Sequence, residues 1–269
     1  MFKLLLKTCI ALCLVGLCTH GARAENAVVA VAANFFVTAE RLSVDFAQRN
    51  PPFTVGLAGG STGKLYAQIG AGAPYDIFLS ADAERPELLE AEGAGEGRFT
   101  YALGRLTLIR SVPAVGTPEP AMPEIVDDIG AALPSQLGRI TLANPIVAPY
   151  GVAAMQAIAK SDRAGELEAV LVPGNSVGQA YSTVVTGNAD AGLVAFSQVL
   201  DDRARADADT SRELLFAPLA PSLYEPIRQD AILLTNGTRN SAALAFMDYL
   251  KSDAARQIIK ASGYTLPEG

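Results

Sequence analysis

The chain has no tryptophan, and its three cysteines and single histidine (Cys9, Cys13, Cys18 and His20) all fall within the first 24 residues. Beyond residue 24 there is neither a thiol nor an imidazole. That excludes a Ser/His/Asp triad, a cysteine nucleophile, a His or Cys zinc site and a disulfide framework. No apolar run beyond that point is long enough to span a bilayer. Positive charge is also scarce: 21 Lys and Arg face 28 Asp and Glu, for a net charge of −7. An acidic chain is a poor partner for nucleic acid or an anionic membrane surface.

The first 24 residues (1–24) read as a secretory signal peptide. Lys3 and Lys7 precede an apolar run from Cys9 to Leu17, and Ala22-Arg23-Ala24 supplies a small-x-small cleavage pattern, so cleavage is expected after Ala24. A lipoprotein reading of Val15-Gly16-Leu17-Cys18 is weaker, because Leu17 stands where a small residue is wanted. Removing the segment takes Lys3, Lys7 and Arg23 and no acid, which moves the net charge to about −10. The remainder is long enough for one large or two ordinary domains with cores that need no staples.

From Ala27 the pattern is strand, glycine or polar loop, helix, repeated. Val28 to Ala33 is a nearly continuous apolar run, as a strand buried on both faces requires. Asn34 can cap the following helix, whose buried face is marked by Phe35, Ala39, Leu42 and Phe46, and Asn50-Pro51-Pro52 stops it. Strands are predicted at 53–57 and 76–80, with a helix bearing Leu65 and Ile69 between them and a short helix at 85–92 after. Leu106 to Ile109 is a strand that leads into a proline-rich connection, Val112 to Pro123. A second set follows: strands at 140–143, 169–172 and 193–196, a helix at 150–160, and a helix capped by Ser176 that bears Val177, Tyr181 and Val184. Leu214 to Ala217 and Gln229 to Thr235 are further strands. Helices 240–251 and 253–262 close the chain, with Gly263 as a C-cap.

Such alternation predicts an α/β protein of two doubly wound lobes joined by a hinge. The expected extents are 25–107 plus 230–269 for the first lobe and 108–229 for the second, with hinge crossings near Leu106–Ile109 and Gln229–Leu234.

In doubly wound sheets, ligands sit at the carboxyl ends of strands, where helix N-termini point. Four loops meet that description: Ala33-Asn34, Gly60-Ser61-Thr62, Pro149-Tyr150-Gly151 and Gly174-Asn175-Ser176-Val177. Each offers free backbone N–H groups and the positive end of a helix dipole. Only Lys64 brings a cation near any of them, and it lies inside its helix. Neutral donors of this kind suit a small oxyanion that must be released again; Ser, Asn and Gly at these positions also serve as ordinary helix caps.

The stretch Ala58-Gly59-Gly60-Ser61-Thr62-Gly63-Lys64-Leu65 has enzyme readings as well. A phosphate-binding P-loop needs glycine at 58 and Ser or Thr after the lysine; the chain has Ala58 and Leu65. Ser61-Thr62-Gly63-Lys64 matches the S-x-x-K of penicillin-recognising serine enzymes, but the companion S-D-N and K-T-G sequences are absent. A Ser61/Lys64 acyl-transfer dyad stays as an alternative. Asp127, Asp128, Asp201 and Asp202 read as helix-start or solvated-face charges rather than as metal ligands.

Ala32-Ala33-Asn34, Gly59 to Leu65, Gly72-Ala73-Pro74-Tyr75-Asp76-Ile77-Phe78-Leu79-Ser80-Ala81-Asp82, Asn144-Pro145 with Pro149-Tyr150-Gly151, and Gly192-Leu193-Val194 resemble the periplasmic molybdate-binding proteins of ABC importers. The similarity keeps its order and spacing over essentially the whole chain after residue 24. It implies a hinged, type II solute-binding fold in the periplasm. It also implies molybdate, with tungstate expected too, held between the lobes for delivery to an inner-membrane permease. No enzymatic activity, cofactor or directly bound cation is implied, and a monomer is expected. Carried over by motif, the ligand contacts fall on Asn34 with the Ala33 amide, on Ser61, on Tyr150 and on the backbone at Val177. Some members have Ser where this chain has Asn34, and some have a contacting Tyr where this chain has Ala195. The pairing of Asn34 with Tyr150 therefore leaves Ala195 out. Another small oxyanion, such as sulfate, is the competing ligand.

Overall fold

The computed structural model describes residues 26–113, 122–136, 138–205 and 212–267. The expected signal segment and most of the proline-rich connection lie outside them. Val112 falls within a strand rather than in that connection.

Among the described residues, ten strands form two mixed sheets. The first contains β1 (Asn26–Ala32), β2 (Thr54–Gly60), β3 (Ile77–Leu79), β4 (Gly95–Gly104) and β10 (Ile227–Leu234), in the order β2-β1-β3-β10-β4. β1 runs parallel to β2 and β3, whereas β10 is antiparallel to β3 and β4. The second contains β5 (Leu106–Pro113), β6 (Ile140–Ala143), β7 (Leu171–Gly174), β8 (Ala191–Ala195) and β9 (Arg212–Pro218), in the order β7-β6-β8-β5-β9. Here β6 is parallel to β7 and β8, and β5 is antiparallel to β8 and β9. The chain passes between the sheets at Arg105 and returns between Pro218 and Ile227, so Leu106 and Thr107 pair in the second sheet and Ile227 to Gln229 in the first. The α/β, two-lobed architecture is the one expected.

Helices cover both faces of the first sheet. Val29, Val31, Ile77 and Leu79 point into a core shared with α1 (Phe36–Arg49), α8 (Ser241–Leu250) and α9 (Asp253–Ala261). Ala30, Phe78 and Ile232 point the other way, onto Leu65 of α2 (Thr62–Gly70) and Leu89 of α3 (Glu84–Ala91). Period-two alternation in a strand buried on both sides produces this division. The predicted stripe Phe35, Ala39, Leu42 and Phe46 is wholly buried, and Phe46 meets the ring of Phe246 edge-on at 5.1 Å.

The second sheet packs on α4 (Pro149–Ala159), α5 (Ala164–Glu168) and α6 (Val177–Val185), and α7 (Phe196–Arg205) follows β8. Ser176 caps α6 as expected, accepting from the Gln179 amide at 3.2 Å. Gly263 ends α9 at φ +89°, the left-handed conformation that glycine adopts without strain.

Three local expectations fail. Asn34 does not cap α1, because its side chain is engaged in the interior. The strand expected at 169–172 lies two residues further on, at Leu171–Gly174, and takes in Pro173; β7 is an edge strand, where a missing N–H costs no ladder bond. Asp201 is no solvated charge: it is 4% exposed and pairs with Arg41 of α1 at 2.8 Å across the two lobes.

Candidate functional site: a seam of neutral donors between two sheets

β1 and β2 are parallel and in register to Ala32 and Gly60, and β6 and β7 to Ala143 and Gly174. Each pair makes one further ladder bond before turning into helices: Ala33 N to Gly60 O at 2.8 Å, and Asn144 N to Gly174 O at 2.7 Å. The four expected loops therefore leave the carboxyl edges of two sheets, side by side within each sheet. They face one another across the seam: the Gly63 amide donates to the Val147 carbonyl at 2.9 Å, and an added Cβ on Gly178 would lie 3.8 Å from that of Ala33.

Each expected residue has a definite place. Ser61 is buried at the N-cap of α2, yet its hydroxyl makes no capping bond. Tyr150 sits in the first turn of α4 and is 1% exposed. Val177 is buried at the first position of α6, where a backbone N–H has no intrahelical partner. Asn34 is buried in the turn after β1.

One expected donor is corrected: the Ala33 N–H is committed to Gly60. Among the described residues the Asn34 N–H meets no acceptor, so the amide that this turn offers is that of Asn34. Ala33 itself lies against α6 as part of the wall.

Behind these residues is a buried polar cluster that sequence reasoning missed. Gln229 of β10 accepts from Asn34 Nδ2 at 2.9 Å and from the Tyr101 hydroxyl at 3.1 Å, and its Nε2 donates to the Tyr150 hydroxyl at 3.3 Å. Tyr264 and Ser197 both donate to the Asn34 carbonyl, at 2.7 and 3.1 Å. The signal in the sequence was Gln229-Asp230 opening an otherwise apolar strand, since a buried polar residue is more informative than an exposed apolar one.

No cation reaches this cluster among the described residues. Asp230, next to it, is taken by Arg98 and Thr100, each at 2.7 Å. Lys64 is exposed on α2 while Ser61 is buried, and no hydrogen bond joins them. A cavity of about 410 Å³ opens elsewhere along the seam, lined by Asp82, Arg85, Pro149, Gln156, Glu225 and Arg228, and none of the five expected residues lines it. Its mixed charges and size do not match a small oxyanion.

Burial, reinforced by neighbouring phenols, pushes the Tyr101 and Tyr150 hydroxyls well above their ordinary value of 10.0. Burial raises Tyr264 as well. These groups are therefore uncharged donors at neutral pH. A raised folded-state value stabilises the fold fully below the unfolded value and loses that contribution as pH rises beyond it. The thermal unfolding midpoint is expected to hold up to about pH 9 and to fall above about pH 10. Tyr150→Phe is expected to soften that fall. A midpoint as high at pH 11 as at pH 8 contradicts this account.

A two-lobed α/β protein whose sheets present helix N-termini and neutral donors to a shared seam has the build of a solute binder. The chain belongs to the bacterial extracellular solute-binding proteins, whose sequence pattern it matches over residues 27–265. It is 41% identical over 254 residues to the molybdate-binding protein ModA of Azotobacter vinelandii, covering 93% of this chain and 94% of that one. It is 40% identical over 245 residues to ModA of Rhodobacter capsulatus, covering 90% and 89%. The solved structure of the Azotobacter vinelandii periplasmic molybdate-binding protein superposes with a TM-score of 0.74 at 36% identity, covering 90% of this chain and all of that one. The sulfate-binding protein SubI of Mycobacterium tuberculosis, 13% identical with a TM-score of 0.69, shares the fold.

Proposed function

We propose that this protein binds molybdate, and tungstate with it, in the seam between its lobes. It delivers the anion from the periplasm to the permease of an ABC importer. The contacts are the Asn34 amide, the Ser61 hydroxyl, the Tyr150 hydroxyl and the Val177 amide, with Ala33 forming wall. The observation that carries this reading is the convergence of buried, uncharged donors from both sheets with no cation among them, in a chain whose relatives bear the molybdate-binding name. The two lobes, which change over at Arg105 and again ahead of Ile227, a few residues from the expected bounds 107/108 and 229/230, act as the two jaws; the leader is removed after Ala24, and the mature chain works as a monomer.

A hydrogen bond to a charged partner contributes about 1.5 to 3 kcal/mol net. A handful of them offsets desolvation and association costs and leaves micromolar or tighter binding. Calorimetric titration with molybdate, tungstate, sulfate and phosphate tests the reading: heat with the first two is expected, and heat with sulfate alone sinks it. Ser61→Ala removes one donor and is expected to weaken molybdate binding about tenfold, near 1.4 kcal/mol. Asn34→Ala frees the turn from Gln229 and Tyr264 and is expected to cost at least as much. Normal binding by both variants means that the site lies elsewhere.

A further inference from the structure

We infer that Gln229 is a positioning residue that sets which way the Tyr150 hydroxyl faces, so that its hydrogen is presented to the oxyanion; the inference rests on the function proposed above. A phenol can donate or accept, and an anion can use only the donor. Which of the two Tyr150 offers follows from counting hydrogens along a chain of buried bonds that begins at a group able only to accept.

That group is the Asn34 carbonyl. Its shortest contact is the Tyr264 hydroxyl at 2.7 Å, and the one other acceptor for the single hydrogen of Tyr264 is Ser197 Oγ at 2.9 Å, so that hydrogen points away from the Asn34 side chain at 3.2 Å. The Tyr264 oxygen is then an acceptor, and Asn34 Nδ2 faces it at 3.2 Å. The same Nδ2 meets Gln229 at 2.9 Å, which requires Gln229 to present Oε1. Tyr101 is compatible with this, its hydroxyl lying 3.1 Å from that Oε1 and 2.9 Å from the Ser80 carbonyl. Turning the amide round would set its NH₂ against the Asn34 NH₂, which can only donate, at 2.9 Å. What remains is Nε2, which donates to the Tyr150 oxygen at 3.3 Å. The Tyr150 hydrogen is directed away from Gln229, toward the seam.

Asn34, Gln229, Tyr150 and Tyr264 are between 0% and 4% exposed, so bulk water does not reset the chain. It also crosses the lobes, since Gln229 lies on the first sheet and Tyr150 on a helix of the second lobe. The donor is oriented only when the lobes are together. A ligand that brings its own O–H to this point, as monohydrogen phosphate does, meets donor against donor.

The test is a double-mutant cycle read by calorimetric titration with molybdate on the full protein. Gln229→Met and Tyr150→Phe are each expected to weaken binding about tenfold. The double variant is expected to bind no more weakly than Tyr150→Phe alone, because Gln229 has nothing to orient once the hydroxyl is gone. Effects that multiply, or a Gln229→Met protein that binds like wild type, overturn the inference while leaving the cleft assignment standing. A wild-type protein that binds no molybdate removes the cleft reading, and the inference with it. Should Gln229→Met fail to fold, Tyr264→Phe breaks the same chain one link earlier. It is expected to weaken binding about threefold or more, and only where Tyr150 keeps its hydroxyl; unchanged binding overturns the inference.

Discussion

Gly104→Ala is expected to weaken molybdate binding about a hundredfold while leaving each lobe folded. Gly104 ends β4, one residue before the chain crosses to the second sheet. A Cβ there would overlap the Tyr150 hydroxyl and stand 2.7 Å from Gln229 Nε2 and 2.9 Å from Tyr150 Cζ. Neither side chain has room to retreat, as both are essentially fully buried. Tyr150 rides on the other lobe, so the strain is relieved by parting the lobes rather than by unfolding either. Overpacking of this kind costs about 1 to 3 kcal/mol, and its upper part corresponds to about a hundredfold in affinity. The loss arises because binding draws only on the closed fraction of molecules. Calorimetric titration gives the affinity, and small-angle scattering of the ligand-free variant gives the opening. An affinity within threefold of wild type refutes the wedge.

Gly151→Ala is expected to destabilise the fold by about 3 kcal/mol, because here the obstacle is backbone. The added carbon would overlap the Ala143 carbonyl oxygen and lie 2.8 Å from Pro145 N. Those atoms belong to the end of β6 and the turn beyond it, so the first turn of α4 must lift away and take Tyr150 with it. For a chain of this size the thermal midpoint is expected to fall by roughly 6 to 12 °C, at about 2 to 4 °C per kcal/mol. Gly165→Ala in α5 is the control: nothing lies within 4 Å of the added carbon, so the midpoint should hold or rise slightly. Equal midpoints for the two variants discount the contact.

Much of this was legible in the residues. Apolar runs such as Val28 to Ala33 announce strands covered on both faces, and the stripe Phe35, Ala39, Leu42, Phe46 announces the helix that covers one of them. Loops at strand carboxyl ends followed from the doubly wound pattern, and four of them do meet at one seam. What escaped was nonlocal. β4 carries Gly95-Glu96-Gly97-Arg98, which lacks clean alternation, and it is a strand because β10 lies beside it. Whether Ser61 and Asn34 cap helices or look inward depends on partners far along the chain. For Asn34 those partners are Gln229 and Tyr264, 195 and 230 residues away. The Ala33 amide was assigned by motif, but the ladder between β1 and β2 runs on to the last residue of the apolar stretch and takes that donor.

The place of β10 bears on how the chain can come into being. It lies between β3 and β4, so the first sheet is split in two until residues 227–234 arrive. Nothing made earlier can fill that gap, because the intervening segment builds the second sheet. A chain that emerges N-terminus first thus keeps its first lobe unfinished until nearly all of it is available, and closure of that sheet depends on contacts of long sequence separation.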